Sequence, residues 1–427
     1  MVIHRVRRGE SLYSIGRDYG VNPAQMAADN GLSPAEPLVV GQTVVVLFPD
    51  VVHIVRPGQT LFGIAQQYGV SVGTLQRNNR WLMGRTGLRP EEVLVISYFG
   101  RTMGELTVNG YAYPSIGAAL LESTLPYLSR LTPFTYGITR AGALLPLDDE
   151  WMLSLAQEHA VGALLHLSTV TEEGAFSNGR SGLVLRDATL CRQLIAQVVD
   201  TVLNRGYVGV DVDFEYLPGD EREPYAAFIA QLRSALSPYG RSVTVALAPK
   251  TGADQKGLLY EGHDYGLLGA AADDVFLMTY EWGYTYGPPM AVAPLPQVRG
   301  VLDYALTEIP AEKILLGVPL YGYDWPLPFR QGSTRARSLS CEQAVALARQ
   351  TGAEIQYDET AQAPRFTYRA EDGTAHEVWF EDAQSLQQKL LLALGQKLRG
   401  VGYWNLDRPA AQNWLVLHAL CSIRKNG

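Results

Sequence analysis

The sequence predicts an α/β protein: a parallel (β/α)8 barrel of the TIM type with a small α+β insertion, preceded by two small βααβ modules. Three observations carry that expectation. Residues 4–21 and 53–70 are two copies of one pattern, 49 positions apart. From about residue 104 onward, eight short apolar runs alternate with helical stretches, the signature of strands crossing over through helices into one parallel sheet. The fourth of those runs carries a carboxylate at every second position, a pattern an ordinary core strand does not tolerate.

The repeat comes first in the chain. HRVRRGESLYSIGRDYGV and HIVRPGQTLFGIAQQYGV share His4/His53, Val6/Val55, Arg7/Arg56, Gly9/Gly58, Leu12/Leu61, Ile15/Ile64 and Tyr19/Tyr68, and Asn30 matches Asn79 further on. Each copy begins with a short strand (4–6 in the first). Ser11 is placed as the N-cap of a helix through Tyr19, on which Leu12, Ile15 and Tyr19 share one face. Gly20 ends that helix, Asn22 or Pro23 opens a second, and residues 43–47 supply a closing strand. In the second copy, residues 80–85 insert before the closing strand at 93–96. The tetrads Gly9-Glu10-Ser11-Leu12 and Gly58-Gln59-Thr60-Leu61, each followed by Tyr-Gly-Val and the shared asparagine, resemble the LysM module. That resemblance implies binding to N-acetylglucosamine-containing glycans such as peptidoglycan or chitin, in a shallow groove between the first loop and the loop after the second helix. It makes Gly9, Glu10, Ser11, Leu12, Gly58, Gln59, Thr60 and Leu61 the candidate glycan contacts. The modules are expected to span 1–48 and 51–98, and the barrel 102–427.

The eight barrel runs are 106–111, 132–138, 162–167, 209–214, 243–248, 275–280, 314–320 and 400–404. In such a barrel the active site lies at the C-terminal strand ends. Several runs end there in polar or aromatic residues: Tyr280-Glu281, Tyr321 and Trp404-Asn405. The gap between the seventh and eighth runs is too long for one crossover. It holds a helix (341–350) and a strand pair around Asp372-Gly373, a hairpin signal, and reads as an α+β insertion over about 325–382.

In the fourth run, Gly209-Val-Asp211-Val-Asp213-Phe-Glu215, alternate side chains share a face. Val210, Val212 and Phe214 therefore pack outward under helices, while Asp211, Asp213 and Glu215 enter the barrel interior. Neighbouring buried carboxylates cannot all ionise cheaply, so the outermost, Glu215, is expected to hold its proton near neutral pH, as a general acid must. A second carboxylate on the same face is badly placed to attack a sugar from the opposite side. The pattern fits the exception in which the substrate's own N-acetyl oxygen attacks.

The run VGVDVDFEY is similar to the DGxDxDxE signature of family 18 glycoside hydrolases, with Val208 in place of the first aspartate. The resemblance implies that Glu215 is the acid, that Asp213 orients the acetamido group and that Asp211 is the inner aspartate. Leu277-Met-Thr-Tyr280-Glu281 is similar to the family's Met-x-Tyr-Asp, which implies that Tyr280 bonds the acetamido oxygen beside Met278 and Glu281. The 316–322 and 402–404 segments match the seventh- and eighth-strand patterns. Trp404 is thereby assigned to the floor of the sugar subsite, and Tyr111, Trp282 and Tyr321 to substrate contact. Tyr284, Tyr286 and Trp325 also follow strand ends, where flat rings can stack on sugars. Trp151 and Trp379 are expected to be packing residues, and the histidines structural or surface.

Composition excludes several other classes. Net charge is −8, with +2 on residues 1–99 and −10 on the rest, so no nucleic acid partner is expected. Three scattered cysteines (Cys191, Cys341, Cys421) exclude a disulfide framework, and no metal-ligand spacing occurs, so neither metal nor cofactor is expected. No stretch is apolar enough for a membrane span, no secretory signal peptide is evident, and no obligate protein partner is inferred. Two LysM modules ahead of such a barrel, with the stretch MTYEWGYTYGPPMAVAP (278–294), resemble spore cortex-lytic N-acetylglucosaminidases. That implies a spore-associated peptidoglycan hydrolase. The motifs read only the sugar that chitin and peptidoglycan share, so a chitinase or another N-acetylglucosamine-polymer hydrolase fits them as well. A catalytically silent wall-binding lectin is the remaining alternative.

Overall fold

The computed structural model describes residues 1–83, 85 and 87–425, so Gly84 of the inserted run in the second module lies outside them. Eight parallel strands close into a barrel: β1 (Gly104–Ala112), β2 (Arg130–Pro133), β3 (Gly162–Ser168), β4 (Gly209–Asp213), β5 (Ser242–Leu247), β6 (Asp274–Leu277), β7 (Ile314–Pro319) and β8 (Gly400–Trp404). Each pairs with its neighbour in sequence, and β8 pairs back onto β1 with Gly400 opposite Thr107. All eight expected runs form strands. The run at 132–138 breaks after Pro133, and Gly137–Ile138 pairs instead with Leu144–Leu145.

Alternation along β4 shows how sequence sets the layers. Val210, Val212 and Phe214 are fully buried toward the helices, and Phe214 stacks on Tyr225 and Phe228 of helix Arg222–Leu236. The preceding helix, Ala188–Arg205, is capped by Asp187 and ends at Gly206, whose φ of +77° turns the chain into the strand. Inside the barrel, Tyr111, Ala246, Phe276 and Leu315 form one layer. A Cβ on Gly402 would come within 2.4 Å of the Phe276 ring, so β8 needs glycine there for that layer to close. Lower in the barrel, buried Asp274 accepts from Arg130 at 2.7 Å and pairs with Arg399 at 2.7 Å.

Between β7 and β8 lies a five-stranded antiparallel sheet in the order Arg337–Ser340, Tyr321–Leu327, Ala375–Trp379, Ala363–Arg369, Gln356–Asp358, with helix Cys341–Thr351 against it. The Tyr321–Leu327 strand, first of the five in chain order, starts at Tyr321, so Tyr321 belongs to this sheet and not to the tip of β7. Gly373, at φ +87°, makes the turn between the Ala363–Arg369 and Ala375–Trp379 strands.

Each repeat forms the strand–helix–helix–strand unit with its own small core, Val6, Leu12, Ile15, Met26, Val44 and Val46 in the first, and Val55, Ile64, Leu75, Leu82, Leu94 and Ile96 in the second. Ser11 and Thr60 cap the first helices, and Gly20 and Gly69 end them in the left-handed region. The shared residues explain themselves. Asn30 and Asn79 are buried staples: each side-chain amide donates to the closing strand and accepts from it, at Val45 in the first module and Val95 in the second. His4 and His53 link a tyrosine hydroxyl (Tyr19, Tyr68) to the Glu10 or Gln59 side chain.

The modules dock on the barrel unit. Arg5 donates to Gln384 at 2.7 Å and pairs with Asp382, Arg349 reaches Glu36 and the Pro37 carbonyl, and the Ile355 amide donates to the Val40 carbonyl. From the second module, Arg77 donates to the Pro126 carbonyl, and His418 bonds Asn78 at 2.6 Å. Among the described residues, no helix is long and apolar enough to cross a membrane.

Candidate active site

The C-terminal end of β4 delivers the three carboxylates to the barrel mouth in a row, as the period of two requires. Asp211 is fully buried and Asp213 is 5% exposed, while Glu215 lies just past the strand end and is half-buried. The Tyr111 hydroxyl faces Asp211, and among the described residues Oδ1 of Asp213 has no hydrogen-bond partner. Burial therefore dominates their chemistry. It pushes Asp211 up to about 7, against the opposing Tyr111 hydroxyl and Arg130 guanidinium. Asp213 is held well above the ordinary carboxyl range by burial and by the charges of Glu215 and Asp211. Glu215 rises to about 7 through burial and, second, the Glu281 carboxylate.

Tyr280 follows β6 and faces the same carboxylates. A Cβ on Gly317 of β7 would come 2.4 Å from the Leu277 carbonyl oxygen and 3.0 Å from the Tyr280 ring, so the strand must be bare there for Tyr280 to lie across it. Tyr216 (φ +58°) and Glu281 (φ +66°) are non-glycine residues in the left-handed region, each directly after a candidate catalytic residue. Such conformations cost about 1 kcal/mol or more and gather where a fold fixes functional groups.

A cavity of about 540 Å³ opens over these groups, and its lining includes Tyr111, Asp213, Glu215, Met278, Tyr280, Glu281, Trp282 and Trp404. Asp211 lies outside that lining. Tyr321 lies outside it too: its hydroxyl and that of Tyr323 (2.9 Å) donate to the Glu281 carboxylate. Trp404 packs in an aromatic cluster with Phe134 (5.0 Å), Tyr111 (5.8 Å) and Tyr113 (6.0 Å). Tyr284 reaches the cavity and Tyr286 does not. Trp325 departs from expectation. It is fully buried and donates to the Gly287 carbonyl, because its strand belongs to the inserted sheet, whose inner face is a core. Val208, the departure from the signature, precedes β4 and packs over Gly162, away from the cavity.

Sequence reasoning missed Tyr113, Phe134, His166, Phe176, Tyr216 and Tyr260, all of which line the cavity. Most lie in loops or on other strands with no local pattern to mark them. The expectation that histidines are structural holds for His263, which accepts from the Ala248 amide and donates to the Phe214 carbonyl, both at 2.9 Å. His166 lines the cavity and lies against Asp211 and Asp213. Among the described residues, no group of three or more His, Cys, Asp or Glu could hold a metal ion.

In the modules, the Glu10 carboxylate accepts from the Arg7 amide and the Gln59 amide oxygen from the Arg56 amide, so both side chains brace their own loop. Ser11 forms a capping box with Ser14, and Leu12 is core. The residues after the leucines, Tyr13 and Phe62, are each 70% exposed at equivalent positions.

A closed barrel with a buried carboxylate row at its C-terminal mouth, beside a cluster of aromatic rings, defines a glycosidase. Residues 168–408 match the model for glycosyl hydrolases family 18, and residues 4–46 and 53–97 match the LysM domain. The chain belongs to glycosyl hydrolases family 18. It is 38% identical to the cortical fragment-lytic enzyme of Bacillus anthracis, covering 99% of both chains, and 45% identical to that of Bacillus subtilis over 68% of each. The spore cortex-lytic enzyme SleL of Bacillus cereus superposes with a TM-score of 0.84 at 37% identity, covering 99% of this chain and 98% of that one.

Proposed function

We propose that this glycoside hydrolase cleaves the β-1,4 bond after N-acetylglucosamine in spore cortex peptidoglycan, with retention of anomeric configuration. Glu215 protonates the leaving oxygen. Asp213 and Tyr280 hold the acetamido group so that its oxygen attacks the anomeric carbon, and Asp213 balances the positive oxazolinium ion that forms. Asp211 shares the charge of the row from below. Trp404 floors the sugar, with Tyr111, Met278, Glu281 and Trp282 around it and Tyr321 fixing Glu281.

One observation carries the mechanism. The acids lining the cavity are Asp213, Glu215 and Glu281. The first two share one strand face, and the third is occupied by two tyrosine hydroxyls. Among the described residues that line the cavity, no carboxylate is left to attack from the far side, which supports a nucleophile that comes with the substrate. The choice of cortex over chitin rests on the full-length likeness to cortical fragment-lytic enzymes, modules included. The same likeness supports a spore location. In this reading residues 1–48 and 51–98 are glycan-binding modules, and 102–427 form the catalytic unit.

The test uses soluble cortex fragments. Glu215→Gln is expected to lose roughly 10²–10⁴-fold in turnover, and wild type to release product whose first-formed anomer is retained by NMR. Net inversion would rule out acetamido attack. Equal turnover of chitin oligomers and cortex fragments would move the substrate assignment to a general N-acetylglucosaminidase.

A further inference from the structure

A second cleft, of about 550 Å³, opens beside the active-site cavity, between the loop after β5 and the start of helix Leu295–Glu308. Pro249, Tyr260 and Trp282 line both, so the two form one continuous depression with two aromatic rings at the junction. The cleft lies on the β5–β6 side of the mouth. Trp404 ends β8 and packs with Tyr111 of β1 and Phe134 after β2, while Glu215 follows β4. With one sugar over Trp404 and its leaving oxygen at Glu215, the next sugar lies toward Tyr260 and Trp282, and its substituent reaches the cleft.

Beyond the two rings the cleft is polar, lined by Thr251, Asp254, Gln255 and Gln297. The Thr251 amide donates to the Gln255 side-chain oxygen at 2.8 Å, which braces the loop. Asp254 is exposed and, among the described residues, makes no hydrogen bond or ion pair. Gln297 Oε1 is buried without a hydrogen-bond partner. Among the described residues, no arginine or lysine lines the cavity or the cleft. Lys250, in the same loop, is buried and donates to the His263 carbonyl. Nor does the helix end offer amides to an anion: Leu295 donates to the Ala361 carbonyl, Pro296 has no N–H, and Gln297 donates to the Pro294 carbonyl. The acids along the depression are Asp213, Glu215, Glu281 and Asp254, so a free carboxylate entering it meets like charge with no cation to offset it.

We propose that this cleft holds the lactyl substituent of a muramyl leaving sugar and selects sugars whose lactyl carboxyl is closed as an amide. This rests on the reading that Glu215 protonates a bond between N-acetylglucosamine and a muramyl residue. A lactyl amide presents an N–H and a carbonyl, whereas a free lactyl group ends in a carboxylate that only accepts. Asp254 accepts the N–H and repels the carboxylate. The Gln297 carboxamide carries an acceptor and donors at one end, so it pairs with the amide whichever way it is turned. Such an amide has two sources, a stem peptide or a lactam closed within the muramyl sugar.

The experiment compares kcat/KM at low ionic strength on an N-acetylglucosamine oligomer and on soluble fragments whose muramyl sugars carry a free lactyl carboxylate, a stem peptide or a lactam. Wild type is expected to prefer an amide-bearing fragment over the free-acid fragment by about tenfold, and the preference to shrink as salt is added. Asp254→Asn is expected to raise kcat/KM on the free-acid fragment about 3–5-fold and to leave the oligomer within about twofold. Gln297→Leu is expected to lower it about 5–10-fold on amide-bearing fragments and to spare the oligomer. A loss confined to the peptide-bearing fragment assigns the cleft to the stem peptide, and one confined to the lactam fragment assigns it to the closed ring. Equal changes on every substrate, the oligomer included, or no change on any, would overturn the proposal. The Asp254 variant alters only an exposed side chain, so it decides the matter even if the Gln297 variant fails to fold. Wild type that cleaves the oligomer but no muramyl fragment would overturn instead the cortex reading beneath it.

Discussion

Glu281→Gln is a nearly isosteric change that removes one negative charge beside the proposed acid. The amide oxygen can still accept from Tyr321 and Tyr323, so the loop is expected to keep its shape. Glu215 rises from 4.5 to about 7, with burial the larger cause and the Glu281 charge the second. The charge therefore accounts for no more than half of that rise, at most about one pH unit. The acid must be protonated, so its limb is the alkaline one, and removing the charge moves that limb to lower pH. With a limb at about 7, roughly one-tenth of the enzyme is active at pH 8. With a limb at about 6, roughly one-hundredth is, while near pH 5 the two proteins differ little. The kcat/KM for soluble substrate, measured from about pH 4.5 to 9, reads this directly. An alkaline limb that stays in place or moves upward would refute the claim that Glu281 tunes Glu215.

Three other outcomes follow from the same structure. Because the folded-state pKa of Glu215 lies above its unfolded value, its contribution to stability is fully present below about 4.5 and lost as pH rises through about 7. Glu215→Gln should then be more stable than wild type at pH 8 by up to about 3 kcal/mol and equal at pH 4, which denaturant titrations at the two pH values check. Gly317→Ala places a methyl against the Leu277 carbonyl and the Tyr280 ring, and should cost about 1–3 kcal/mol in stability together with most of the turnover. Replacing the exposed Tyr13 and Phe62 by Ser should leave soluble turnover and Tm nearly unchanged, but weaken pull-down onto insoluble wall by about 5–10-fold per site if these rings stack on sugar.

The barrel was legible because its signals are local. Buried parallel strands read as short apolar runs, and the alternation in β4 separates Val210, Val212 and Phe214 from Asp211, Asp213 and Glu215 without any tertiary information. The repeat was legible for the same reason, since its caps, helix faces and turn glycines lie within a few residues of one another. What failed to show has a common cause. Trp325 follows a strand as sugar-stacking aromatics do, but whether such a ring faces a cleft or a core depends on which sheet its strand joins. His166 and Phe134 reach the site only because β2 and β3 lie beside β1 and β4 in the closed barrel, and nothing near them in sequence carries a motif. The docking of the first module through Arg5, Arg349 and Ile355 joins residues more than 300 positions apart, a distance no local pattern spans. It fixes the first module against the barrel unit and does not leave it to swing on a tether.

The central claim is that Glu215 drives cleavage after N-acetylglucosamine in cortex peptidoglycan. Digestion of purified spore cortex by wild type and by Glu215→Gln, with fragments reduced and resolved by mass spectrometry, tests it most directly. The account predicts fragments ending in reduced N-acetylglucosamine from wild type and none from the variant. Fragments ending in reduced muramic acid, or the same fragments from both proteins, would contradict it.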